Sequence, residues 1–518
     1  MKNLFKTVLA VGLISFVGCE DDNPSPGQNP DINTNVNFKY SNTIKVGGEG
    51  AAEISAYDTK TKKLFVINSE SKEVSVYSLS NVETTEKLSS ITINTGAPNS
   101  ISAYDGKIAI AIEAEVKQNN GKIALYNAEN NELISDFTVG ALPDMVTFSK
   151  DGKLLVCANE GEPNSLYTND PEGSVSIINI ESKQVSTLDF TAFNGQEASL
   201  EANGFRVFGP GANLATDVEP EYITISDDSK TAWVSLQENN GIAKVNLESK
   251  TIEAIYPLGF KDYNAAGNEI DPSNEDNKKE LRNIPVYGIY QPDAITYVNI
   301  NGVGYIISAN EGDAREYIDD KGTDDEDDDE DIFVNEKRIK KIDLDPTAFP
   351  NADELQKEEN LGRLKIALDL GDTDNDGDYD KLYSYGARSF SIWSENGSLI
   401  YDSGNSISQK TLELTPATFN DEDGRSDDKG AEPEAVEVLN IGNERYILFV
   451  GLERTDQVMV YDITNPSAPS FLAILSNDGD EAPEGLLVIP AKDSPNGKDL
   501  LLVSNEDSGT VSIYQNMQ

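Results

Sequence analysis

The chain of 518 residues contains no histidine. That absence removes Ser-His-Asp and Cys-His nucleophile pairs, imidazole zinc sites and imidazole acid–base catalysis. Cysteine is almost as scarce, at two residues. Positive charge is thin too: 41 Lys plus Arg stand against 91 Asp plus Glu, a formal net charge of -50, so nucleic acid would be repelled and is excluded as a partner. Chemistry must therefore rest on carboxylates, Arg, Lys, Tyr, Ser/Thr and hard metals. Apolar residues are not lacking. At 38% hydrophobic, with 21 Tyr and 17 Phe, the chain can bury a large core and should fold over most of its length.

Lys2 and Lys6, the apolar stretch Thr7 to Val17 and the step Gly18-Cys19 mark residues 1–18 as a secretory signal rather than a membrane span. Phe16-Val17-Gly18-Cys19 resembles the bacterial lipobox, which makes Cys19 the expected lipid attachment site and membrane anchor. Glu20-Asp21-Asp22 resembles the acidic export signal of Bacteroidetes-type surface lipoproteins, so the expected location is the outer membrane or cell surface of a Gram-negative bacterium. Residues 19–37, rich in Pro and Asn, read as a flexible tether. Cys157 is then left without a disulfide partner and reads as a small buried hydrophobe.

Residues 38–518 read as one repetitive domain, expected to be monomeric. A strand opening on a Pro-acidic step recurs at Pro143-Asp144, Pro220-Glu221, Pro292-Asp293, Pro433-Glu434 and Pro483-Glu484, with looser copies at Ala52-Glu53 and Pro98-Asn99. A second strand ends on an amide-plus-acid step, as at Asn159-Glu160, Gln237-Glu238, Asn310-Glu311 and Asn505-Glu506, with a variant at Glu453. Third strands follow, among them Ser174 to Ile178, Arg338 to Ile342 and Thr510 to Tyr514. Such strand repeats predict an all-β β-propeller. Gly386 to Trp393 looks like a degenerate repeat, so seven or eight blades are expected. The last repeat lacks a fourth strand, and Phe38 to Val46 is an orphan strand expected to close the ring. The remaining residues, including Lys261 to Tyr290, Thr415 to Lys429 and an acidic insertion near 317–335, read as long loops on one face. The acidic run Asp324 to Asp331 reads as a solvated loop.

First strands line a propeller's channel, so Glu53, Asp144, Glu221, Asp293, Glu434 and Glu484 should form a ring. Glu160, Glu238, Glu311, Glu453 and Glu506 should form a second tier. Clustered carboxylates raise one another's pKa unless cations intervene. Arg206, Arg315, Arg388 and Arg454 are the available counter-charges, with Arg388 expected in the ring itself. Either metal or these arginines balance the acids, or the acids are strand-end residues solvated at a rim. Asp372-Thr373-Asp374-Asn375-Asp376-Gly377-Asp378-Tyr379-Asp380 sets carboxylates on alternate residues around the sixth-position Gly of a calcium loop. Its twelfth position is Tyr383 rather than Glu, so a Ca²⁺ loop outside an EF-hand is expected, with a ligand from elsewhere.

Asn159-Glu160-Gly161-Glu162-Pro163, Arg206-Val207-Phe208-Gly209-Pro210-Gly211, Asn310-Glu311-Gly312-Asp313-Ala314-Arg315, Gly386-Ala387-Arg388-Ser389-Phe390 and Lys429-Gly430-Ala431-Glu432-Pro433-Glu434 resemble, in this order, the choice-of-anchor I proteins. The chain is also similar to the mesenchyme-specific cell surface glycoprotein family. The resemblance implies an extracellular propeller held to a surface, in a group often labelled alkaline-phosphatase-like. Two functions follow as expectations. One is a calcium-stabilised surface module that binds a ligand at its loop-bearing face. The other is a metal-dependent phosphoesterase in which channel carboxylates hold Ca²⁺ or iron and arginines bind phosphate. Its catalytic candidates are Glu160, Arg206, Glu221, Asp293, Glu311, Arg315, Arg388 and Glu434.

Overall fold

The computed structural model describes residues 35–321 and 329–517. The signal segment, Cys19, most of the tether and much of the acidic run lie outside the described residues. Seven four-stranded sheets dominate. Their first strands are Ser55–Asp58, Pro98–Tyr104, Pro143–Phe148, Pro220–Ile225, Ile295–Ile300, Pro433–Asn440 and Pro483–Ile489, which number sheets one to seven. Each first strand packs against the next, and Pro483–Ile489 returns to Ser55–Asp58, so the sheets form a closed ring.

The pattern of burial explains the ring. Second strands such as Lys107–Ile112 and Leu154–Asn159 are buried almost end to end, because both faces meet a neighbouring sheet. Outer strands such as Gln184–Asp189 are largely exposed. A separate apolar cluster fills every sheet-to-sheet boundary. Ile67 and Ile110 meet between sheets one and two, Val156 and Val234 between three and four, and Val66 and Leu502 between seven and one. Burial between blades, not at the axis, carries the hydrophobic stabilisation. The axial cavity, by contrast, mixes acids with apolar side chains such as Met145 and Leu486.

The N-terminal strand closes the ring as the sequence predicts. Phe38–Lys45 pairs antiparallel with Thr510–Asn516 in the order first-to-last of sheet seven, and Phe38 packs edge-on to Phe449 with ring centroids 5.0 Å apart. The edge that Thr510–Asn516 would otherwise expose is covered.

Two expectations need correction. Arg338 to Ile342 is not the third strand of sheet five; Val303–Asn310 pairs instead with Ser389–Ser394, followed by Leu399–Asp402. The stretch read as a degenerate extra repeat is therefore the second half of sheet five, which leaves seven four-stranded sheets among the described residues. Nor are the insertions merely loops. The segment between Asn310 and Ser389 packs with residues 260–290 around its own apolar core, which includes Tyr263, Val286, Ile339, Leu364 and Leu382. The small strands Phe260–Asp262, Tyr287–Ile289 and Tyr383–Ser384 join the two segments in one sheet. These insertions follow second or fourth strands, and in an antiparallel sheet those ends share a face with the starts of the first strands. The insertions and both tiers of acids are thus on one face.

Candidate functional site

The backbone at the sheet starts aims the acids. In five of the seven sheets the first strand slips by one residue against the second, between Pro98 and Ser100, Pro143 and Val146, Pro220 and Ile223, Pro433 and Val436, and Pro483 and Gly485. A bulge takes a residue out of the ladder and turns its side chain, and proline has no ladder donor to lose. The slips contain Asn99, Asp144, Glu221, Glu434 and Glu484. At four sheet starts the residue before the proline is held left-handed: Leu142 and Gln291 at φ 45°, Glu432 at 49° and Ala482 at 56°. Such strain costs about 1–3 kcal/mol at a non-glycine residue and concentrates at functional sites.

These strand starts, with Asp293, line one cavity of about 420 Å³. The second strands send Glu160, Gln237, Glu238 and Glu311 into it. The amides of the amide-plus-acid step serve the sheets: Asn159 Nδ2 donates to Ser174 and Ser176, and Asn310 Nδ2 donates to Ser389 and Ser391. The acid one residue later is left for the cavity. Glu53 stands off the lining with Asp144 and Glu506 as its charged neighbours. Glu453 lies at the rim beside Glu311 and Glu432, where carboxylate oxygens come within 4.8 Å of one another.

Charge in the cavity is unbalanced. Burial first, and then Glu238, Glu160, Asp293 and Asp144, push Glu221 well above the usual carboxylate range. Burial and then Glu453 and Glu484 do the same to Glu434. Asp144 is pushed up to about 7 by burial and by Glu238, with Lys117 opposing. Burial first, and then Glu506 and Glu53, push Glu484 well above the usual carboxylate range. Glu238 is 6% exposed. Its Oε2 and those of Glu221, Glu434 and Glu484 have no hydrogen-bond partner among the described residues.

The arginines are committed elsewhere. Arg206 pairs with Asp369 at 2.7 Å and donates to the Glu238 carbonyl; its guanidinium stacks 4.1 Å from the Phe208 ring centroid. Arg315 pairs with Asp217 at 3.0 Å and Glu219 at 2.8 Å. Arg454 pairs with Glu453 at 2.6 Å. Arg388 is not in the ring: it precedes a third strand, and its guanidinium donates to the carbonyls of Asp271, Ser426 and Asp428. The counter-charge that the sequence reading missed is Lys429, whose Nζ lies 2.5 Å from Glu311, 3.4 Å from Glu432 and 3.6 Å from Asp313. Its place beside Glu432 in one of the motifs quoted above is the signal that was there to find. Glu437, on the cavity wall three residues beyond Glu434, was also missed.

The turns between motifs explain their glycines. Gly312 has φ +89°, and a Cβ there would come within 2.1 Å of the Gly386 amide nitrogen, so the insertion can leave and rejoin sheet five only through two glycines in contact. Within that insertion, Asp372, Asp374 and Asp376 gather their oxygens within 4.8 Å, and Asp345 gathers with Asp378 and Asp380. Asp372 accepts from the amides of Asp376 and Gly377. Both trios are oxygen donors of the kind a hard cation such as Ca²⁺ takes, and Asp345 joins the second trio from outside the loop.

The choice-of-anchor I domain matches residues 53–466, most of the chain. The chain belongs to the choice-of-anchor I family. Gigasin-3a of Magallana gigas is 33% identical over 189 residues, covering 31% of this chain, which spans 66% of that relative's length. Among solved structures, a chain of Kuenenia stuttgartiensis hydrazine synthase aligns with TM-score 0.48 and 11% identity, over 91% of this chain and 97% of its own. The Cps50 (Swd1) β-propeller domain of Myceliophteria thermophila aligns with TM-score 0.47 and 8% identity, over 93% and 100%. Family membership and the closed ring of sheets make this choice-of-anchor I chain a cell-surface β-propeller. Among the described residues no helix is long and apolar enough to cross a membrane.

Proposed function

We propose that this surface propeller binds a positively charged ligand in its acidic axial cavity. One observation carries the reading: acids from most of the sheets converge on a single cavity, and four of them present buried oxygens with no hydrogen-bond partner among the described residues. Burying charge without a partner is costly, and a cation removes the cost. Ca²⁺ in the Asp372–Asp380 loop stabilises the inserted unit, and Cys19 carries the lipid that holds the protein to the outer membrane. The order of basic, apolar and Gly18-Cys19 segments supports that anchor. The phosphoesterase alternative has less support, because Arg206 and Arg315 are each held by carboxylates and Arg388 by carbonyls.

Calorimetric titration and melting of the mature chain test this. Chelation should lower the melting temperature through the linkage relation, by about 2.7 kcal/mol of stability at a hundredfold excess of Ca²⁺ over Kd. Asp376→Ala should remove the response of the loop, and Glu221→Gln with Glu434→Gln should remove cation uptake by the cavity. Unchanged melting across calcium titration, with no bound cation and no effect of either substitution, overturns the reading. Turnover of a chromogenic phosphomonoester that disappears with chelator would install the phosphoesterase in its place.

A further inference from the structure

The kind of cation can be read from how the acids are spread, an inference that rests on the cavity binding a cation at all. A bare divalent ion needs several oxygens converging on one point. Among the described residues, carboxylate trios this tight occur at Glu311/Glu432/Glu453, Asp345/Asp378/Asp380 and Asp372/Asp374/Asp376. None is made only of the ring acids. Their carboxylates are distributed around about 420 Å³, and the same wall includes Met145, Tyr222 and Leu486. Past this apolar band lies another acid, Glu437. The bulge after Pro433 is what puts Glu434 and Glu437, three residues apart, on one wall. Acid, apolar and acid again along one wall suits a ligand whose charges are separated by methylenes.

The protein already seats such a group. Lys429 brings an ammonium on an aliphatic stem to Glu311 at 2.5 Å and Asp313 at 3.6 Å, and both acids line the cavity. Glu238, nine-tenths buried with Oε2 unpartnered, is the acid most in need of a second ammonium. We propose that the axial cavity binds a linear aliphatic polyamine, with ammonium groups on Glu221, Glu238 and Glu434 and methylenes against Met145, Tyr222 and Leu486. Primary and secondary ammonium groups each donate several hydrogen bonds to carboxylates, and the methylenes gain from burial as a metal ion does not.

Spermidine and CaCl₂ are the probes, titrated separately by calorimetry into the mature chain, spermidine in the presence of EDTA. Spermidine should bind at one site per chain. Glu221→Gln should weaken it tenfold or more, and so should Met145→Gln, which leaves every carboxylate in place. Glu437→Gln provides a second acid variant if Glu221→Gln does not fold, as judged by circular dichroism. Calcium binding that is sensitive to Glu221→Gln, without spermidine binding, overturns the polyamine and leaves the cationic reading standing. Spermidine binding at many sites, indifferent to Glu221→Gln, Glu437→Gln and Met145→Gln, also overturns it, since general attraction to an acidic protein would explain it. If neither probe responds to the ring variants, both readings fall.

Discussion

The cavity ring and the rim beside it are built from the same residue types and differ in what answers their charge. At the rim, Glu311, Glu432 and Glu453 crowd within 4.8 Å, yet Lys429, Arg425 and Arg454 stand among them, Arg425 Nε 2.7 Å from Glu432. In the ring, Glu221 has only acids as its strongest charged neighbours, and Asp293 and Glu484 likewise. The fold places its few buried cations where the insertions join the sheets: Arg206 on Asp369, Arg315 on Asp217 and Glu219, Lys429 on Glu311. Crowding alone therefore does not mark a cation site. What marks it is crowding that the chain's own cations leave unanswered.

The largest effect should come from breaking an answered site. Arg315 is 3% exposed at the side chain, with Asp217 at 0% and Glu219 at 3%. Arg315→Met would strand two buried carboxylates and should cost about 3–5 kcal/mol in denaturant melts. Adding Asp217→Asn and Glu219→Gln should recover much of it. A loss under about 1 kcal/mol would mean the pair is solvated and the contrast with the ring is overstated.

Lys429→Met turns the rim into a second ring. With Lys429 partly reached by solvent, the cost should be smaller, about 1–3 kcal/mol. The rim trio is tight enough for a bare ion, so Ca²⁺ should restore part of the loss in this variant and do less at the same place in the wild type. Stability of Lys429→Met that ignores calcium would show that Arg425 and Arg454 suffice alone.

The ring was legible because a Pro-acidic step opens five of the seven sheets, with looser copies at Ala52-Glu53 and Pro98-Asn99, and each copy precedes a period-2 strand. Closure by Phe38–Lys45 was legible because one sheet lacked a fourth strand. The third strand of sheet five was not, because Arg338 to Ile342 alternates like a strand while the true one, Ser389–Ser394, lies beyond the whole insertion; only long-range pairing decides between them. Arg388 was misplaced for the same reason. Glu437 was missed on different grounds. It has opposite parity to Glu434, so strict alternation sends the two to opposite faces, and the bulge that reverses this leaves no mark beyond a proline. Lys429 sits in the polar run Asp427-Asp428-Lys429-Gly430, which has no periodicity to reveal its neighbours.

The ring and the answered sites separate most cleanly in the direction of their pH dependence. In cation-free protein, Asp144 rises from 3.8 to about 7 and Glu53 from 4.5 to about 7, each chiefly by burial. Between about pH 4 and 7 the native state then holds more protons than the unfolded chain, so stability falls as pH rises through that window, by up to about 1.4 kcal/mol per unit for each fully titrating group. Acidification from pH 7 to 5 should raise the melting temperature. Asp369 runs the other way: hydrogen bonds and charge from Arg206 outweigh burial and hold it below its ordinary value, so its contribution is present above about pH 4 and is lost only below that. Stability should accordingly peak on the acid side of neutrality without cation. With saturating cation the ring is answered, its carboxylates ionise, and the rise on acidification should vanish or reverse because protons now compete with the ligand. Asp144→Asn should flatten the cation-free slope while leaving the loss below pH 4 intact. A melting temperature that falls steadily from pH 7 to 5 without cation, and is unchanged in slope by Asp144→Asn, would show that the ring acids are ionised and solvated like any surface carboxylate, and the distinction between ring and rim would be lost.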